Sequence, residues 1–122
     1  MDLNVKNIEN WDIVDIRLEK PCLSEYIQIS RELNRLVSNK NRYIVINLKQ
    51  VAVFENLFIE MLLSAKKSCE KTNCNVSVCG MNQDILCIFY LLRLDKYFEF
   101  YEDEYDALLR KNRLVKRKLR VV

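Results

Sequence analysis

The chain has 122 residues, half of them apolar, with one Gly, one Pro, no His and a formal net charge of +3. That length and apolar content suit one domain with a real core and argue against disorder. No apolar run approaches the roughly 18 residues of a membrane span, and the N-terminus lacks the basic-then-apolar order of a signal peptide, so a cytoplasmic location is expected.

Leu3 to Glu9 alternates weakly, as an edge strand does. Trp11 to Leu18 alternates better, with Ile13, Asp15 and Arg17 on one face and Val14, Ile16 and Leu18 on the other. Pro21 closes that strand because a proline cannot donate to a ladder. From Ser24 to Ser38 the positions Tyr26, Ile27, Ile29, Leu33, Leu36 and Val37 suit an amphipathic helix. Asn39-Lys40-Asn41 turns the chain into Tyr43 to Leu63, the stretch on which the rest is organised.

Its first half is rich in β-branched residues, Ile44 to Ile46 and then Val51 to Phe54 after a polar break, and reads as a strand covered on both faces. In its second half Phe58, Met61, Leu62, Ala65 and Cys69 recur at helical spacing. Asn56 stands where an N-cap would accept the amides of the first turn. Ligands and partners of α/β sheets meet the chain at such strand-to-helix junctions.

Asn75 to Met81 is a further alternating strand that ends at the lone glycine, Gly80. Asp84 to Asp95 is apolar nearly all round, with Ile85, Ile88, Phe89 and Leu92 on one stripe and Leu86, Tyr90 and Leu94 on another. That second stripe is either buried under the C-terminal helix or a homodimer or partner surface. Tyr97 to Tyr101 is a short aromatic strand, and a last helix opens at Glu104. The order β-β-α-β-α-β-α-β-α predicts an α/β fold, one mixed sheet of four to five strands with four helices.

Charge divides the chain. Residues 1–109 carry 13 basic and 17 acidic side chains, whereas 110–122 carry seven basic and no acidic ones. The expected organisation is a domain over 1–109 and a basic helical tail over 110–122 that continues the last helix. In that tail Arg110, Lys111, Arg113, Lys116, Arg117, Lys118 and Arg120 either solvate a helix end or meet an acidic partner, a membrane surface or nucleic acid.

Enzyme chemistry finds little footing. The sequence has no His, no phosphate-binding glycine loop and no metal-ligand spacing, so no catalytic residue, metal, cofactor or small-molecule substrate is expected. Cys22, Cys69, Cys74, Cys79 and Cys87 match no zinc pattern and read as buried free thiols. Cys79, beside Gly80, lacks a neighbouring His or Lys that would lower its pKa.

Asn47-Leu48-Lys49-Gln50-Val51, then Glu55-Asn56-Leu57-Phe58-Ile59, then Val78 to Gly80, then Leu94-Asp95-Lys96-Tyr97-Phe98 with Tyr101 and Ala107-Leu108, form an ordered set. The set resembles the STAS domain, the fold of bacterial anti-sigma factor antagonists and of sulphate-transporter tails. In that family the segments read Asp-Leu-Ser-x-Val and Asp-Ser-Ser/Thr-Gly-Leu, and a partner kinase phosphorylates the first serine of the second. Asn56 stands at the phosphoserine position, Glu55 at the preceding Asp and Phe58 at the Gly. No Ser, Thr or Tyr occurs from Ile44 to Leu63.

The resemblance implies a non-catalytic protein-interaction module of the anti-sigma factor antagonist type, without the phosphorylation switch. Its docking loop would comprise Glu55, Asn56, Leu57 and Phe58, and its partner would be an anti-sigma-type serine kinase or a multi-subunit assembly. Alternatives are a STAS subunit of a lipid or anion transport assembly and, more weakly, a nucleic-acid-associated protein acting through the basic tail. Phe58 itself divides between core packing and a partner anchor, and its place in the Met61–Leu62–Ala65 stripe favours the core.

Overall fold

A computed structural model of the chain describes residues 3–109. The basic residues Arg110, Lys111, Arg113, Lys116, Arg117, Lys118 and Arg120 lie outside the described residues. The elements run β1 (Leu3–Ile8), β2 (Trp11–Ile16), α1 (Leu23–Val37), β3 (Tyr43–Asn47), α2 (Asn56–Thr72), β4 (Asn75–Cys79), α3 (Gln83–Leu91), a 3-10 turn (Leu94–Lys96) and β5 (Glu99–Tyr101). Residues 104–109 are again helical.

The five strands lie in sheet order β1-β2-β3-β4-β5. The β1–β2 hairpin is antiparallel, and every later neighbour is parallel. Because each parallel strand is added on the same side of the last, right-handed crossovers carry α1, α2 and α3 over one face. That face holds the larger core, in which Val14, Ile16, Ile44, Ile46, Val76 and Val78 of the sheet meet Leu33, Leu62 and Phe89 of the helices. On the opposite face Trp11, Ile13, Val45, Cys79 and Tyr101 close against Ala107 of the last helical segment. Strands β2 to β4 are therefore covered on both sides, and β3, at the centre of the sheet, reads as an unbroken apolar run.

The floor of the sheet is tied by charge. Asp12, 1% exposed, accepts from Arg42 Nη2 at 2.7 Å and Nε at 3.0 Å and also from Asn7. Arg42 Nη1 reaches the Glu9 carbonyl at 2.6 Å, so one guanidinium joins the β1–β2 turn to the start of β3. Burial opposes ionisation of Asp12, but the hydrogen bonds from Arg42 and Asn7 and the charge of Arg42 outweigh it. The carboxyl is held below its ordinary range.

Four expectations are corrected by the tertiary structure. The strand after Tyr43 stops at Asn47, and Val51 to Phe54 belong to a loop in which Val51 and Phe54 are buried while Ala52 and Val53 are exposed. Helix α3 ends at Leu91 and not Asp95, because Arg93 adopts a left-handed conformation (φ 58°) and redirects the chain. Leu94 consequently leaves the Leu86–Tyr90 stripe and is buried in the larger core. Ile27 is 45% exposed while Tyr26, Ile29, Leu33, Leu36 and Val37 are buried; it lies one residue off their stripe, a rotation of about 100° on a helix of 3.6 residues per turn. Lastly, only Cys69 and Cys79 are buried, whereas Cys22 and Cys87 are exposed.

Candidate functional site

The junction between β3 and α2 lies at the carboxyl end of the parallel strands. Asn47 ends β3 with its side chain turned back on the chain: Oδ1 accepts from Lys49 N at 2.9 Å, and Nδ2 donates to Glu104 Oε2 at 2.6 Å. Gly80, at the end of neighbouring β4, has φ +74°, and a Cβ there would lie 2.8 Å from Asn47 Oδ1 and 3.1 Å from Lys49 N. Only glycine allows β4 to end so close to the loop that leaves β3.

The loop 48–55 is fastened from both sides. Leu48 N donates to the Cys79 carbonyl at 2.9 Å, Ala52 N to the Glu19 carbonyl at 2.8 Å, and the Asn82 side chain to the Val51 carbonyl at 3.3 Å. Leu48, Val51 and Phe54 are buried. Every third residue is thus buried and those between face out: Lys49, Gln50, Ala52, Val53 and Glu55 are exposed. Three buried apolar anchors present a rim of polar, charged and small apolar side chains in a defined conformation.

Helix α2 begins without a side-chain cap. Glu55, not Asn56, is the N-cap residue and makes no capping hydrogen bond with its side chain. Asn56 is the first helical residue and is exposed, as is Leu57. The Glu55 carbonyl accepts from Phe58 N at 3.0 Å and Ile59 N at 3.2 Å. Phe58 is fully buried and packs edge-on against Tyr26 (5.7 Å between centroids) and obliquely against Phe54 (5.2 Å). Its ring is enclosed and wedges the loop, α1 and α2 together from beneath. A glycine in its place would leave that aromatic cluster without its centre.

Of the other expected contact face, Leu86 is half-buried and lines a depression of about 300 Å3 with Met81, Phe100, Tyr101, Glu102 and Asp106. Tyr90 is half-exposed and rests edge-on against Phe100 at 5.5 Å. Leu94 contributes nothing to that surface because it is buried. Residues 104–109 pack through Ala107 on the other face of the sheet. Next to Tyr90 in the chain, Leu91 and Leu92 have exposures of 81% and 51%.

Two thiols, Cys69 and Cys79, are enclosed in the fold. Burial pushes the Cys69 and Cys79 pKa up to about 12, with nearby Cys74 adding to the first and Glu104 and Asp103 to the second. Among the described residues no group of three or more His, Cys, Asp or Glu side chains could hold a metal ion. No helix among them is long and apolar enough to cross a membrane.

Sequence reasoning missed the neighbour of the loop. Leu23 and Ile27 of α1, exposed by 66% and 45%, stand across a cleft from Leu57 of α2. Helical periodicity held the signal for Ile27, since it breaks the buried stripe. Leu23 lay just before the expected start of the helix and carried none.

The family model of the STAS domain matches residues 7–107. The chain belongs to the STAS domain family. Solved structures agree on the fold. A STAS anti-sigma-factor antagonist domain protein from Planctomyces limnophilus is 18% identical, with a TM-score of 0.81 over 90% of this chain and 97% of that one. An anti-sigma factor antagonist from Mycobacterium paratuberculosis is also 18% identical, with a TM-score of 0.76 over 88% and 91%. A murine anion transporter of the Solute Carrier 26 family shares the fold at a TM-score of 0.68 and 12% identity, over 85% of this chain and 18% of the transporter. No curated protein matches significantly. In this STAS domain the junction carries Glu55-Asn56-Leu57-Phe58, without a hydroxyl from Ile44 to Leu63.

Proposed function

We propose that this STAS domain is a non-catalytic regulator of the anti-sigma factor antagonist type, which binds a protein partner through the loop 48–55 and the first turn of α2. The observation that carries the reading is the rim itself. Val53, Glu55, Asn56 and Leu57 are exposed above a fastened, buried floor of Val51, Phe54 and Phe58. Such a surface is already ordered before a partner arrives, which lowers the entropic cost of association. The partner class comes from the structural neighbours, which include anti-sigma factor antagonists.

Asn56 has no hydroxyl for phosphate, so docking here would be constitutive and would answer to partner concentration instead of a phosphate switch. The test is titration calorimetry of the full chain with an anti-sigma-type serine kinase, followed by mass spectrometry after incubation with ATP. Binding without phosphate between Tyr43 and Leu63 is the expected result. Absence of binding, or phosphate in that segment, would overturn the proposal.

A further inference from the structure

Beside the docking rim, α1 and α2 diverge around a cleft of about 280 Å3, lined by Leu23, Tyr26, Ile27, Leu57, Glu60 and Met61 among others. Its volume lies just below the roughly 300 Å3 at which pockets for drug-sized ligands begin, and suits one or two side chains. Leu23, Ile27 and Leu57 expose their apolar surface along its edge.

The charge in the cleft lining is acidic. Among the described residues Glu60 is the only charged side chain lining it and has no ion-pair partner. Glu55 adds a second carboxylate close enough to act on Tyr26.

An unmet polar group completes the description. Tyr26 is 4% exposed, and its buried hydroxyl has no hydrogen-bond partner among the described residues. A phenylalanine would fill the same space without leaving a buried donor unpaired. The hydroxyl therefore costs the isolated domain stability, and because Tyr26 lines the cleft, an acceptor brought by a bound partner would relieve that cost.

We propose that the cleft receives the last turn of a basic amphipathic helix from the protein partner. One large apolar side chain of that helix would enter between Ile27 and Leu57. Its Lys or Arg residues would face Glu55 and Glu60. A last-turn carbonyl, unpaired within its own helix, would accept the Tyr26 hydroxyl once the cleft edge parts around the incoming side chain. The inference rests on the docking role proposed above and extends the surface from the loop onto α1.

The test uses the full chain, labelled with nitrogen-15, and two short stapled helical peptides. One carries leucine on one face and lysine on the other; its twin has glutamate for lysine. The lysine peptide should shift the amides of residues 23–30 and 57–61, and the glutamate peptide should not. Tyr26→Phe should melt at the same or a higher temperature yet bind the lysine peptide about three- to ten-fold more weakly, the worth of one net hydrogen bond. Glu60→Lys should remove binding of the lysine peptide. Equal binding of both peptides, shifts outside these residues, or full affinity in Tyr26→Phe would each overturn the proposal.

The serine kinase separates the two readings. If it binds the native chain and Ile27→Asp equally well but not Asn56→Lys, the cleft fails and the docking loop stands. If it does not bind the native chain, the docking role fails, and the peptides alone decide the cleft.

Discussion

Phe58 and Leu57 are adjacent, and the fold buries one and exposes the other. Phe58 is fully enclosed between Tyr26 and Phe54, and Leu57 is 37% exposed on the outer side of the same turn. Replacing Phe58 with Ala removes a buried ring and leaves a cavity where α1, α2 and the loop meet, a change that costs about 3–5 kcal/mol. For a domain of this length 1 kcal/mol corresponds to about 4 °C, so the melting midpoint should fall by about 12–20 °C. Leu57→Ala removes less burial and opens no cavity; it should cost roughly 1 kcal/mol or less. Circular dichroism melting of both variants and of the native chain measures the difference, and calorimetry with the kinase measures the other half. Leu57→Ala should weaken partner binding while leaving the fold in place. A fall of less than about 4 °C for Phe58→Ala, or a larger fall for Leu57→Ala than for Phe58→Ala, would refute the assignment of the wedge.

Gly80→Ala should lower the urea midpoint by the equivalent of about 2–3 kcal/mol, combining the left-handed backbone penalty with the loss of the Asn47–Lys49 hydrogen bond; an unchanged midpoint would mean that β4 does not approach the loop as described. The depressed Asp12 carboxyl contributes stability above its unfolded pKa of about 3.9, and that contribution is lost as the pH falls through the lower folded value. Asp12→Ala should therefore cost about 3 kcal/mol at pH 7, near the low end for a buried pair because Arg42 is partly exposed. Its stability should also vary less than the native chain's below pH 4, and equally steep acid limbs would count against the clasp. Ellman's reagent should find two fast thiols, Cys22 and Cys87, with Cys69 and Cys79 shielded until unfolding; four or five fast thiols would contradict their burial.

Element order was legible in the sequence because each element carries its own period. The stripe Phe58, Met61, Leu62, Ala65 and Cys69 is the buried face of α2, residue for residue. The alternation of β2 likewise reports two faces that end in two different cores. Periodicity is a local property, so the chain displays it directly.

What the tertiary structure decided depends on contacts distant in sequence. Val51 and Phe54 read as strand because they are apolar, yet no neighbouring strand pairs with them, and burial alone gave them their character. Leu94 kept the spacing of the α3 stripe, but the turn at Arg93 rotated it into the core. Glu55 took the cap position that Asn56 seemed suited to, because the fastening of the loop at Glu19 and Asn82 sets where the helix can begin. The cleft beside Leu57 is formed by two helices separated by a strand and a loop. Its unpaired Tyr26 hydroxyl leaves no trace in the sequence, since a tyrosine at a core position looks the same whether or not its oxygen finds a partner.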